Sequence, residues 1–288
     1  MQNISFSKPF FNVIKQTCMV TKAKAVKFFR EGDRCHLNIH NENSFLQVSA
    51  GPADFTFDGM EVNTSSLIEF IRFAELIDYP DKGTIVVDNE ETLAGHVYEF
   101  IKFDNGTETA RSITADPSCF NAEDDNKVHT PRESDPMSLL ATIKMTKKDL
   151  EKYVAKLKLV PGCQFFSVNV TNRGEVKFYF KGRVGQQITT KVDYTMTLVG
   201  DEQAIEKAYG AKSKERYRKI PTAMLTTLKG LGCEEYDMEI RYIAADYDSI
   251  AVKVFANLQG MDGQYPIEIY YSVAECSGAE ENAEELVQ

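Results

Sequence analysis

The 288-residue chain runs twice through one order of elements: a helix, several strands, a helix, several strands. That recurrence constrains the fold more than any single motif, because a repeated architecture calls for two similar domains, each with its own core. In the first half, Phe10, Val13, Ile14 and Thr17 share one side of a helix, and Pro9 suits its first position, where a missing N–H costs nothing. Alternating runs at 26–30, 35–40 and 45–50, separated by Glu31-Gly32-Asp33 and Asn41-Glu42-Asn43, predict a β-meander. A second helix is expected to start near Asn63-Thr64-Ser65, to bury Leu67, Phe70, Ile71, Ala74 and Ile77, and to stop at Pro80. Strands at 84–88 and 97–103 close the half.

The stretch from 115 to 136 is polar and holds three prolines, so it reads as a connector. After it the order returns: a helix over 147–159, strands at 165–171, 175–181 and 187–198, a helix over 221–228, and strands at 238–243, 249–255 and 266–273. The expected organisation is an α+β chain with an N-terminal domain (1–115), a connector (116–136), a C-terminal domain (137–275) and an acidic tail (276–288). Hydrophobic residues at 43 % and charged residues at 26 % fit an ordinary globular protein. No window has the roughly 18 apolar residues of a membrane helix, and the N-terminus lacks a signal-peptide pattern, so the expectation is a cytoplasmic protein without a membrane partner. The six cysteines are scattered and form no C-x-x-C pair.

A net charge of -10 argues at first against nucleic acid. Its distribution reverses that argument. Lys8, Lys15 and Lys22 are seven apart and stay within about 40° of one another on a helix, opposite the apolar stripe. Lys144, Lys148, Lys152 and Lys156 recur every fourth residue and oppose Leu150, Tyr153, Val154 and Leu157, with Thr146 as N-cap. Residues 54–108 hold thirteen acids against Arg72, Lys82 and Lys102, a net of -10 that equals the whole chain's net charge; residues 275–288 add five glutamates and no base. The second helices carry less charge: Glu69 and Glu75 flank Arg72, and Lys229 lies at the end of the later one. Residues 201–219 look like an insertion with six bases and four acids. The competing explanation for each lysine stripe is a solvated helix face.

No catalytic pattern emerges. His36 and His40 share a strand face without a third ligand, and Gly210-Ala211-Lys212-Ser213 lacks the glycine before lysine and the preceding buried strand of a phosphate loop. Neither G-x-S-x-G nor G-x-G-x-x-G occurs, so the expectation is a non-enzyme with no metal and no cofactor.

Several stretches carry a resemblance: 60–70 (Met-Glu-Val-Asn-Thr-Ser-Ser-Leu-Ile-Glu-Phe), Ala115-Asp116-Pro117-Ser118, 143–150 (Ile-Lys-Met-Thr-Lys-Lys-Asp-Leu), 193–198 (Asp-Tyr-Thr-Met-Thr-Leu) and Ile269-Tyr270-Tyr271-Ser272-Val273. On these the chain resembles the DNA polymerase sliding clamps of tailed phages, related in fold to the proliferating-cell nuclear antigen, from about Phe6 to Val273. The resemblance implies a ring with helices lining the hole and sheets outside, three copies of a two-domain subunit, and a host-cytoplasmic setting if the protein is viral. It implies double-stranded DNA threaded through the hole without sequence preference, a tethered DNA polymerase and a separate clamp-loader ATPase. The DNA-facing residues would be Lys8, Lys15, Lys22, Lys144, Lys148, Lys152, Lys156 and Lys229. Partner peptides would dock in an apolar pocket lined by Leu139, Leu140, Tyr271 and Val273, residues that filling of the domain core explains equally well. The alternatives are a monomeric DNA-binding processivity factor of the same fold and an unrelated α+β enzyme.

Overall fold

A computed structural model describes residues 1–21, 25–41, 44–91, 93–115, 137–171, 175–183, 185–192, 197–199, 202–209, 218–243, 249–259 and 264–273. The connector at 116–136, the acidic tail, Lys22 and the stretch 210–217 lie outside these residues. The chain divides into two compact units, Met1–Asn126 with Asn257–Glu268, and Lys127–Ala256 with Ile269–Gln288.

The first unit begins with β1 (Gln2–Phe6), α1 (Lys8–Thr21), β2 (Ala25–Glu31), β3 (Arg34–Asn41), β4 (Ser44–Ala50), β5 (Phe55–Phe57) and β6 (Glu61–Thr64). It continues with α2 (Leu67–Leu76), β7 (Thr84–Glu91), β8 (Val97–Asp104) and β9 (Thr109–Ile113). One antiparallel sheet runs β5-β1-β7-β8-β9, and β4, β3, β2 and β6 lie side by side in that order. Phe6 stands at the centre of the core: its ring meets those of Phe10, Phe28, Phe55 and Phe70 at centroid distances of 6.0, 5.9, 4.8 and 6.2 Å. Each of these rings is almost fully buried, a contribution of about 1.5–3 kcal/mol per side chain. The Phe6 N–H donates to the Tyr79 hydroxyl at 2.6 Å, so this buried donor is satisfied.

The second unit contains β10 (Met137–Thr146), α3 (Lys147–Leu157), β11 (Phe165–Val170), β12 (Val176–Lys181), β13 (Gln187–Lys191), β14 (Thr197–Val199) and α4 (Glu202–Tyr209). Then follow β15 (Arg218–Pro221), α5 (Ala223–Leu231), β16 (Glu235–Ile243), β17 (Ser249–Gln259) and β18 (Gln264–Val273), the last two crossing the division between the units. The pairing scheme is that of the first unit. β1 pairs with β5 and β7, and β10 with β14 and β16; β2 pairs with β3 and β6, and β11 with β12 and β15. Only α4, between β14 and β15, has no counterpart in the first unit among the described residues.

Several sequence expectations need correction. Strands β1 and β10 were not anticipated, nor were β5, β6, β9 and β15 or the helix α4. Asn63 and Thr64 belong to β6, so α2 is capped by Ser66, whose hydroxyl accepts from the Glu69 N–H at 3.1 Å. Pro221 ends β15, and the helix after it starts at Ala223. The single strand expected over 187–198 is two strands in different sheets, because Gln187–Lys191 pairs with β12 and Thr197–Val199 with β10. Lys144 sits in β10 opposite Asp237, not on a helix: the capping box at Thr146 starts the helix only at Lys147.

In that box the Thr146 hydroxyl donates to the Asp149 carboxylate at 2.6 Å and the Asp149 N–H donates back to the hydroxyl at 3.3 Å. The threonine hydroxyl, helped by Lys152, holds the Asp149 carboxyl below its usual range. A depressed carboxylate stabilises the fold above its unfolded value, about pH 3.9, and that contribution is lost as pH falls through the folded value. Thr146→Ala is expected to lower stability by about 1 kcal/mol. Asp149→Asn should lower it too, with a deficit that is full at neutral pH and shrinks below about pH 4. Urea denaturation at pH 7 and pH 3 measures both effects.

Candidate nucleic-acid interface

Each unit sets two helices side by side. In the first, α1 buries Phe10, Phe11, Val13, Ile14 and Cys18 while α2 buries Leu67, Phe70, Ile71 and Ala74. The opposite faces expose Lys8 and Asn12 from α1, and Ile68, Glu69, Arg72 and Glu75 from α2, with Lys15 half-buried between them. The lysines are matched by acids. The Lys8 ammonium lies 2.9 Å from Asp81, and Lys15 reaches across the helix pair to Glu75 at 2.5 Å. A cleft of about 300 Å³ between the helices is lined by Lys15, Met19, Ile68, Ile71, Arg72 and Glu75, so this face is apolar in part and nearly neutral in charge.

The second unit differs. α3 buries Leu150, Tyr153 and Val154, and α5 buries Met224, Leu225, Leu228 and Leu231. Successive steps of four residues turn the helix by about 400°, so Lys148, Lys152 and Lys156 form a row that drifts by about 40° per step. The row stays opposite the core. Lys148 is exposed and pairs with no carboxylate among the described residues. Lys152 is 3.0 Å from Asp149, within its own helix. The Lys156 ammonium donates to the Thr190 hydroxyl at 2.7 Å and lies 5.4 Å from the centre of the Tyr153 ring; burial, and then neighbouring Lys152, push its pKa down. Lys229, in the last turn of α5, is exposed without a carboxylate partner among the described residues. Lys147 is 3.3 Å from Glu234.

Chemically, the second pair of helices presents positive charge and, among the described residues, no converging acid, base or nucleophile. Ammonium groups on long stems suit phosphate contact without base readout. Of the other anticipated residues, Lys144 is exposed on β10, outside the helix row. Leu139 and Leu140 lie in β10 at a bulge in its pairing with β16; Leu140 is fully buried and Leu139 half-buried. Tyr271 and Val273 fall in β18, as anticipated for a terminal strand, while their side chains are outside the described set. Lys158, exposed at the C-cap of α3 two residues after Lys156, was not among the anticipated residues; it lies off the face of the row, near a helix C-terminus that favours cations. Among the described residues no three His, Cys, Asp or Glu gather as a metal site, and no helix is long and apolar enough to cross a membrane. His36 is held instead by Ser49 at 2.8 Å and Gln47 at 3.0 Å.

No protein-family profile matches the chain, and no curated protein matches it by sequence. Solved structures do. DNA polymerase III subunit beta from Borrelia burgdorferi, in complex with a natural product, aligns with a TM-score of 0.59 at 10 % identity over 94 % of this chain. The alignment covers 64 % of that protein's length. PCNA from Thermococcus kodakaraensis aligns with a TM-score of 0.50 at 12 % identity, covering 94 % of this chain and 98 % of that one. At such identities the likeness establishes architecture: the chain has the α+β fold of these clamps, with two helices packed on antiparallel sheet in each unit.

Proposed function

We propose that this chain is a DNA sliding clamp, a non-enzymatic processivity factor that encircles duplex DNA and tethers a polymerase. The observation that carries the reading is the lysine row of α3, joined by Lys229 of α5, on a clamp fold. Phosphate contacts are independent of sequence and exchange readily, so topological enclosure, not affinity, keeps such a protein on DNA. The DNA-facing set is Lys148, Lys152, Lys156 and Lys229, with Lys8, Lys15, Lys22 and Lys144 as weaker members; the Asp81 and Glu75 partners reduce the field of the first two.

A ring needs two complementary surfaces on one subunit, because head-to-tail contacts close into a cycle. Sheet edges supply candidates. β9 is the edge of one sheet and β13 the edge of another. Edge strands present unpaired backbone groups, which can pair between copies. The reading is of a homotrimer, loaded by a separate ATPase and working in the cytoplasm of a host cell if the tailed-phage resemblance holds. Partner peptides would use Leu139, Leu140, Tyr271 and Val273. A second reading, a monomer that grips DNA with one basic face, is favoured by the concentration of unpaired lysines in the second unit.

Two experiments decide between these. Lys148→Glu, Lys152→Glu and Lys156→Glu together are expected to abolish stimulation of the cognate polymerase on primed circular DNA, with circular dichroism and oligomeric state unchanged; undiminished stimulation removes the assignment of the row. Light scattering at micromolar concentration should give three times the subunit mass. A strictly monomeric protein with strongly salt-dependent affinity for linear duplex would favour the second reading.

A further inference from the structure

The second unit holds a site that the lysine row does not explain. On the β13-β12-β11-β15 sheet, Phe166, Val168, Phe178, Phe180 and Ile220 point into the core. The residues between them form the other face, where Phe165, Ser167, Lys181 and Lys219 line a cavity of about 300 Å³ with Gln164 and Arg183 at its rim. That volume is at the lower end of small-ligand pockets. No carboxylate lines it. Phe165 keeps 49 % of its surface exposed, so its ring is accessible from the cavity.

The cavity is built, not incidental. Gly162 adopts φ +76°, and a Cβ there would lie 2.8 Å from the Arg183 Cγ, so the glycine gives the arginine stem its seat. The Arg183 N–H donates to the Pro161 carbonyl at 3.2 Å and the Gly182 N–H to the Gln186 carbonyl at 2.8 Å, which fixes the turn that carries the guanidinium. Across the cavity, β15 fixes Lys219 by pairing it with Ser167 of β11. The Thr222 N–H donates to the Gln164 carbonyl at 2.9 Å and anchors the loop beside Phe165.

We infer that this face binds single-stranded nucleic acid, with one base on the Phe165 ring and phosphates along Lys181, Arg183 and Lys219. Cations that track a backbone, together with an exposed aromatic face, form the combination that such surfaces use. A duplex keeps its bases stacked inside and leaves the ring unused; a polyglutamate peptide would engage the cations but has no aromatic ring to stack on Phe165. None of the residues that line the cavity belongs to α3, α5 or the β13 edge, so the inference is argued apart from both the lysine row and the ring contact.

The test uses the full chain carrying the Lys148, Lys152 and Lys156 to Glu changes, so that the helix row contributes nothing. Fluorescence anisotropy of a labelled oligo(dT) of about 12 nucleotides, within the usual site sizes, should show binding that weakens steeply with salt. Adding Arg183→Glu and Lys219→Glu should weaken it roughly tenfold or more and flatten the salt dependence. Phe165→Leu, which retains apolar bulk without a ring, should weaken it about fivefold or more at an unchanged salt slope. Gly162→Ala should act like loss of Arg183 alone. Unchanged affinity in Phe165→Leu would overturn the inference, as would displacement of the oligonucleotide by a polyglutamate peptide at equal concentration. Loss of polymerase stimulation with oligo(dT) binding intact bears on the clamp reading only.

Discussion

Each unit depends on the pairing of its first strand. β1 is five residues long, yet Ile4 lies opposite Phe57 of β5 on one side and Ile85 of β7 on the other; in β10, Ile143 stands in the same way between Thr197 and Met238. A strand held on both sides fixes where its chain leaves the sheet, and in both units it leaves straight into the first helix. The second helix lies just ahead of the strand that pairs with the first, β7 or β16. Backbone hydrogen bonds thus bring together two helices that are more than 40 residues apart in sequence. The aromatic cluster around Phe6 forms on that frame, because Phe6 ends β1 and Phe10 begins the buried stripe of α1.

The same frame decides what becomes of the charge. Half-exposed pairs such as Lys8–Asp81 contribute about 0–1 kcal/mol to stability. Their larger effect is on the field outside the protein: a carboxylate 2.9 Å from an ammonium cancels most of its potential beyond a Debye length of about 8–10 Å. The first helix pair is therefore close to neutral although its helix α1 holds no acid at all. The second keeps its charge, because its lysines meet one helical aspartate and one distant glutamate, Lys156 rests on the neutral Thr190 hydroxyl, and Lys148 and Lys229 face solvent. A chain of net charge -10 can present phosphate with a positive surface when its acids are spent elsewhere.

Much of the fold was legible because helices and strands bury residues at different periods. Leu67, Phe70, Ile71 and Ala74 name the buried face of α2, and the alternation in 26–30 and 35–40 finds β2 and β3. Short strands were not legible: β5 has three residues and β6 four, and neither alternation nor a turn signal survives at that length. β10 was hidden for another reason. Its Lys144 falls in register with the lysines of α3, so a four-residue spacing ran through a boundary that only the Thr146–Asp149 box defines. As for the candidate site, the row itself could be read from spacing, but not which lysines are matched by acid: Asp81 is 73 residues from Lys8 and Glu234 is 87 from Lys147. The cavity beside Phe165 gave no sequence signal, since its cations come from β12, the turn after it, and β15 beyond an insertion.

One asymmetry in the repeated topology has a bearing on how this chain can change. In the first unit, three residues (58–60) join β5 to β6; in the second, residues 200–217 join the equivalent β14 and β15 and include α4. Both joined strands are sheet edges, so a longer connection displaces no partner. Loop-closure entropy grows only with the logarithm of length, about 1.5 kcal/mol for a lengthening of this size. Burial of Ala204, Ile205, Ala208 and Tyr209, with the Tyr209 hydroxyl donating to the Val168 carbonyl at 3.3 Å, is enough to offset it. This junction is thus a position where new sequence can be acquired, elaborated or removed without disturbing any strand register, which makes it the natural place for related chains to diverge.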